Sequence, residues 1–224
     1  MTALATAREA VAIALNGRVA VNLTDATAPF ARYPGVWFHS DVTSLPVIGT
    51  VDVAHYPYAD ATDINASGQV VGWGETPQER QVAILWRDGV PTVLPSPQQS
   101  RYNRAWAINA DGDVVGAVDL SPSFSYSIFR AVLWRDGQVT ELGTLGGTES
   151  QAFGINDLGQ VVGGSFTSAG DFHAFRWEAG AMLDLGTLGG GFSSAYDISE
   201  SGRIVGAAAA TQPGTTRAVL WTAK

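Results

Sequence analysis

The chain has no cysteine and a single lysine, Lys224. Without thiols it can form neither a disulfide framework nor a thiolate metal site, and the redox compartment stays undetermined. Thirteen basic residues face 21 acidic ones, for a net charge of −8. The clustered Lys and Arg that a nucleic-acid backbone requires are therefore missing. No apolar run approaches the roughly 20 residues of a membrane helix. The opening residues Met1 to Glu9 lack the basic start and long apolar stretch of a signal peptide. No helical period persists anywhere, so helix content is expected to be near zero. Charged residues make up only 15% of the 224 positions against 46% hydrophobic, with 26 glycines. That balance excludes a disordered chain or a coiled coil and leaves a core-forming protein.

What the chain does have is a recurring phrase. It reads Gly154-Ile155-Asn156-Asp157-Leu158-Gly159-Gln160-Val161-Val162-Gly163, and returns at Asp63 to Gly72, Ala107 to Gly116 and Asp197 to Gly206. A worn copy lies at Ala12 to Val21. The marker isoleucines stand at 13, 64, 108, 155 and 198, in steps of 51, 44, 47 and 43. A tryptophan follows each, at 37, 86, 134, 177 and 221, in steps of 49, 48, 43 and 44. Two markers with one order and nearly one step define five copies of a single unit.

Each unit reads as four short strands, a to d. Strand a carries Ala-x-x-Ile and ends in a turn such as Asn65-Ala66-Ser67-Gly68, whose first Asn and fourth Gly suit a type I turn closing a hairpin. Strand b, Gln-Val-Val-Gly or a variant, has consecutive apolar residues, as a strand covered on both faces does. Strand c ends on the tryptophan, as in Ala131-Val132-Leu133-Trp134, and a tight turn such as Arg135-Asp136-Gly137 leads to strand d. Four strands per unit of this length predict an all-β fold, a five-bladed β-propeller of antiparallel blades. The alternative is an open solenoid or a β-prism-like array. Small Ala in strand a fits a crowded axis, Gly ending strand b fits close approach of blades, and Trp fills the wider outer part. The repeats fall at about 9–47, 48–94, 95–142, 143–185 and 186–224, in one domain spanning 1–224. Because three residues follow Trp221, the extended stretch Thr2 to Thr6 is expected to supply the missing outer strand beside Ala218 to Trp221.

One stretch adds a resemblance. Asp171-Phe172-His173-Ala174-Phe175-Arg176-Trp177 contains His-Ala-Phe, and Asp184-Leu185-Gly186-Thr187-Leu188-Gly189-Gly190 follows it. With the Ile155 to Gly163 phrase, this resembles the HAF repeat family of extracellular bacterial repeat proteins, which has no established activity. The third unit keeps Leu142 to Gly147 but has Arg130 where the fourth has His173; the other equivalents are Tyr33, Val82 and Arg217. The resemblance implies a propeller-like repeat and secretion, and it carries over no catalytic residue.

With short a–b and c–d turns at one end, the longer b–c and d–a connections share the other. Varied loops on a rigid scaffold are where binding usually resides. That end collects Tyr33, His55, Tyr56, Tyr58, Tyr102, Phe124, Tyr126, Phe172 and Phe192, beside Arg101, Asn103, Asp119 and Asp171. Such rings suit stacking on a sugar or anchoring a protein partner; the plainer role is to cover the ends of the blades. Tyr56, Tyr58, Arg101, Tyr102, Trp106, Tyr126 and His173 are the candidate ligand-binding residues. Trp106, Phe153 and Tyr196 share one place in strand a, where they either pack between blades or line a channel. For hydrolysis, two or three carboxylates must converge, and Asp63 and Asp197 are the candidates, at equivalent places before Ile. Asn109 to Asp113 has the flavour of a calcium loop without the twelve-position pattern, and His39, His55 and His173 lack metal-ligand spacing. No cofactor fingerprint appears. The leading reading is a non-enzymatic module that presents its loop face to a glycan or protein. The alternatives are a glycoside hydrolase or lyase and a structural repeat unit. Oligomeric state and cellular location do not follow from the residues.

Overall fold

The computed structural model describes residues 7–24, 31–48, 58–76, 81–97, 100–121, 127–212 and 214–222. Among them every extended element is a strand, and no helix occurs. The first repeat forms β1 (Ala7–Ile13), β2 (Val19–Thr24), β3 (Arg32–Phe38) and β4 (Asp41–Ser44). The second forms β5 (Ala59–Ile64), β6 (Val70–Glu75), β7 (Gln81–Arg87) and β8 (Val90–Val93). The third forms β9 (Asn103–Ile108), β10 (Val114–Asp119), β11 (Phe129–Arg135) and β12 (Gln138–Gly143). The fourth forms β13 (Gly146–Ile155), β14 (Val161–Thr167), β15 (Phe172–Glu178) and β16 (Ala181–Asp184). The fifth forms β17 (Gly189–Ile198), β18 (Ile204–Ala210) and β19 (Thr216–Trp221).

The chain divides into two compact units, Met1–Gly112 and Asp113–Lys224, the boundary lying in the a–b turn of the third repeat. In the first unit, β1-β2-β3-β4 and β5-β6-β7-β8 are antiparallel sheets with strands in chain order. In the second, β13 to β19 form a seven-stranded sheet. A lone parallel bridge, Phe172 to Phe192, joins its two parts. Among the described residues the fifth repeat has three strands; the closing strand expected from Thr2 to Thr6 lies outside the described residues.

Local chemistry explains the repeat. The turn glycines Gly17, Gly68, Gly112, Gly159 and Gly202 all have φ between +75° and +86°, and Gly68 N–H donates to the Asn65 carbonyl at 3.0 Å. The c–d turns carry two consecutive positive φ values, as at Asp136 (50°) and Gly137 (73°), the type I′ geometry that matches strand twist. Strand a has one residue too many. Register shifts fall between Ala10 and Ala12, Ala61 and Asp63, Ala152 and Gly154, and Ala195 and Asp197. The bulged residues are therefore Val11, Thr62, Phe153 and Tyr196. The bulge brings the strand-a carbonyl down on strand b: a Cβ at Gly72 would lie 1.9 Å from the Asp60 oxygen, and one at Gly163 1.9 Å from that of Gln151. In the second and fourth repeats glycine at the end of the phrase is thus required within the sheet itself, rather than by the approach of one repeat to the next; the first repeat has Val21 at this place.

Packing runs from repeat to repeat. In the first unit Ala14, Ala20 and Leu45 share a core with Ala61, Ile64, Val70, Ile84 and Trp86 of the following repeat. In the second, Val162 and Ala174 share one with Ala195, Ile198 and Ile204. Val70, Val71, Val114, Val115, Val161 and Val162 are fully buried, each worth about 1.5–3 kcal/mol of transfer free energy. The strand-c tryptophan reaches back to the preceding repeat: Trp86 Nε1 donates to the Pro46 carbonyl at 2.7 Å and Trp221 Nε1 to that of Leu185 at 3.0 Å.

Buried polar groups follow the same rule. Asn65 Nδ2 donates to the Asn109 carbonyl at 3.0 Å, and Asn156 Nδ2 to the Ser199 carbonyl at 3.1 Å. In the worn first repeat Asn16, two places further along its turn, reaches the Ala66 carbonyl at 2.7 Å. Each asparagine is thus a rung to the next turn. Ser150 and Ser193 are a second pair of struts, accepting from the Ala131 and Ala174 amides and donating to the Gly143 and Gly186 carbonyls.

Candidate functional site

The loop end of the first unit gathers a cation–aromatic cluster. Where strand c starts, Arg32 makes a parallel bridge to Tyr58, and Gln81 to Tyr102. Phe172 and Phe192 repeat this link in the second unit. The receiving residue, three places before the strand-a alanine, is aromatic in all three.

Arg32 stacks on the Tyr58 ring at 5.1 Å and donates to its hydroxyl. Its Nε lies 3.0 Å from Asp60 Oδ1 as an ion pair off hydrogen-bond alignment, and its Nη2 lies 3.6 Å from Glu9. Tyr58 in turn packs on Trp73 with ring centroids 5.1 Å apart. Arg104 lies 4.6 Å over Trp73 and 5.9 Å from the Trp106 ring. Two of its nitrogens donate to Gln81 Oε1, at 3.0 and 2.8 Å. Arg101 stacks on Tyr102 at 5.4 Å. Guanidinium planes alternating with rings hold both in fixed orientation. Trp73 and Asp60 are buried, while Tyr58, Tyr102 and Trp106 keep partial exposure.

The Asp60 carboxyl titrates above its ordinary value. Burial raises its carboxyl above the ordinary 3.8, helped by the charge on Glu9, against the opposing pull of Arg32, the Tyr58 hydroxyl and Arg8. Desolvation of the carboxylate thus outweighs the favourable charge of Arg32.

The second unit has a smaller cluster. Phe172 stacks on Phe192 at 5.9 Å and meets Phe166 edge-on at 5.1 Å. His173 Nδ1 is 2.8 Å from Asp184 Oδ2, and the same carboxylate accepts the Gly186 amide at 2.7 Å. His173 therefore ties the start of strand c to the loop after strand d.

The expected site residues fall into three groups. Tyr58, Arg101, Tyr102 and Trp106 lie in the first unit, three of them with an arginine stacked on the ring or guanidinium against it; His173 lies in the second. Tyr56 and Tyr126 lie outside the described residues. Asp63 and Asp197 belong to different units and both serve the backbone: Asp63 Oδ1 accepts Ile64 N at 2.8 Å and Oδ2 accepts Ile108 N at 2.9 Å, and Asp197 Oδ1 accepts Ile198 N at 2.8 Å. Asp113, in the loop with calcium-like residues, pairs bidentately with Arg135 at 2.9 and 2.6 Å. Among the described residues no three His, Asp or Glu side chains gather as a metal-binding group. Arg32, Asp60, Trp73, Gln81 and Arg104 were not anticipated. Aligning the residues just before each strand-a alanine shows Glu9, Asp60 and Arg104 in one column, which is the trace they leave in sequence.

No family model matches the chain, and no curated protein matches it. Among solved structures, a fungal lectin of Aleuria aurantia, described as a six-bladed β-propeller with a novel fucose recognition mode, aligns with a TM-score of 0.46 at 13% identity. The alignment covers 95% of this chain and 76% of the lectin. At that level of similarity it bears on neither the number of repeats nor the ligand.

Proposed function

We propose that the chain is a non-enzymatic binding module built of five propeller-type repeats, akin to HAF repeat proteins, that offers its loop end to a glycan. The observation that carries this is the row of partly exposed rings Tyr58, Tyr102 and Trp106, braced by Arg32, Arg101 and Arg104. A sugar presents an apolar C–H face and a rim of hydroxyls. Rigid rings meet the first, and guanidinium and amide groups meet the second. The hydrolase alternative rests on Asp63 and Asp197, whose carboxylates are engaged with strand amides; a general acid needs a proton within reach of a substrate oxygen instead.

The test is a glycan array followed by titration of tryptophan fluorescence with any sugar that binds. Trp106→Ala and Tyr102→Ala should each weaken binding at least tenfold, while Asp197→Asn leaves it unchanged. A protein that binds no glycan, or whose binding ignores both substitutions, would overturn the reading. Capture of a protein ligand instead, lost in the same variants, would replace glycan with protein at the same surface.

A further inference from the structure

Two successive joints of the first unit are built on one plan with their polar partners exchanged. At each, the residue that starts strand c makes a parallel bridge to a tyrosine leading into the next strand a: Arg32 to Tyr58, then Gln81 to Tyr102. The residue two places past each tyrosine lies on the same side of the extended chain and meets the strand-c residue. It is Asp60 in the first joint and Arg104 in the second. In the first joint the guanidinium comes from strand c, and its Nε lies 3.0 Å from the Asp60 carboxylate. In the second it comes from strand a, and Gln81 Oε1 accepts from Arg104 Nε at 3.0 Å and from Nη2 at 2.8 Å. A neutral amide oxygen thus stands where the plan puts a charged partner.

The exchange leaves the charge of Arg104 unmatched within the first unit. Asp60 and Glu9 both pair with Arg32, and no described residue of the unit makes an ion pair with Arg104. Gln81 takes one N–H each from Nε and Nη2. The N–H groups of Nη1 and the other one of Nη2 form the edge that matches both oxygens of a carboxylate. The guanidinium is held 4.6 Å over Trp73 and 5.9 Å from the Trp106 ring, and both contacts favour a positive charge there. A partly buried guanidinium without a counter-ion bears a desolvation cost that a bound anion relieves.

We propose, resting on the glycan reading of this surface, that its ligand is acidic: a hexuronic acid whose carboxylate pairs with Arg104. The partly exposed rings of Tyr102 and Trp106, on the same stretch of chain as Arg104, meet the apolar face of the pyranose. The Nη1–Nη2 edge meets the carboxylate on its rim in a bidentate, charge-assisted contact. A neutral sugar in the same place offers hydroxyls alone and leaves the guanidinium without a counter-charge. Because the chain carries a net charge of −8, long-range attraction does not draw an acidic ligand in. The preference for acid comes from this one contact.

The test is calorimetric titration at fixed ionic strength with an oligosaccharide of glucuronic acid, its methyl ester, its carboxyl-reduced neutral counterpart and a sulfated neutral oligosaccharide of equal length. The acidic sugar should bind about tenfold or more tighter than the ester or the reduced form. Arg104→Met, which keeps an apolar stem over Trp73, should bring that ratio to about one. Gln81→Glu keeps Arg104 but gives it the carboxylate that the preceding joint has, and should erase the preference as well; it decides the matter if the methionine variant fails to fold. Equal binding of acidic and reduced sugars, still weakened by Tyr102→Ala, would overturn the acid preference and leave the glycan surface standing. Binding by none of these sugars would overturn both readings. Tightest binding of the sulfated sugar would overturn the carboxylate assignment, and a preference that survives Gln81→Glu would take it away from Arg104.

Discussion

Replacing Asn156 with serine tests the asparagine rung by copying what the last repeat already does. Ser199 stands at the equivalent place, and its hydroxyl accepts the Arg203 amide at 3.1 Å, so serine can still cap the turn. What it cannot do is donate an amide. Asn156 Nδ2 donates to Gln160 Oε1 at 2.8 Å and to the Ser199 carbonyl at 3.1 Å, in a residue only 1% exposed. Two buried bonds at a net 0.5–1.5 kcal/mol each put the cost of Asn156→Ser at about 1–3 kcal/mol. Asn156→Ala also loses the acceptor for the Gln160 amide, about 1 kcal/mol more. Urea unfolding at neutral pH reads both as a lower midpoint with an unchanged slope. Asn156→Asp adds a check on sign. A carboxylate would face two acceptors, so its folded pKa would rise above the unfolded value of about 3.9. Stability of that variant should therefore fall as pH rises through and above that value, and recover in acid. If Asn156→Ser matched the wild type, the cross-repeat bond would contribute nothing, and the asparagine would be a turn residue alone.

Other outcomes follow from the same geometry. Gly163→Ala should cost about 3 kcal/mol in thermal unfolding, because its Cβ would lie 1.9 Å from a backbone oxygen. Gly137→Ala, with nothing within 4 Å but φ of +73°, should cost only about 1–2 kcal/mol; equal losses would refute the close-approach argument. Ser40 sits at φ 80° where other c–d turns have glycine, so Ser40→Gly should raise stability by about 0.5–1 kcal/mol. Asp60 has a raised folded pKa, so it contributes a fall in stability as pH climbs from 3.8 through that value. Asp60→Asn should flatten that part of the curve, and an unchanged slope would show that burial does not control the carboxyl.

The strand pattern and turns were legible because their determinants are local. Asn65 and Gly68 lie three residues apart, and Val70 and Val71 announce a two-faced strand on their own. The tryptophan spacing likewise exposed the repeat. Relations across repeats were not legible. Asn156 looks like a turn residue until Ser199 is seen beside it. The bulge at Thr62, Phe153 and Tyr196 changes which residue opposes which without changing composition. The cluster of Arg32, Tyr58, Trp73 and Arg104 joins residues from three repeats through burial and stacking, and arginine at a strand start reads as an ordinary solvated charge. Asp63 is the converse case: a carboxylate in a repeated place invites a chemical role, and only the fold shows that its oxygens accept the Ile64 and Ile108 amides.

The asparagine rung addresses a main-chain carbonyl, and every residue type has one. It therefore reads no sequence in its neighbour. A duplicated or transposed repeat would find its bond waiting whatever side chains it brought. Asn65 meets an asparagine carbonyl and Asn156 a serine carbonyl with nearly the same distance, 3.0 and 3.1 Å. Gene duplication could thus lengthen or reorder such an array without matched changes on both sides of each seam. Loop residues at the far end would be left to drift independently, one repeat at a time.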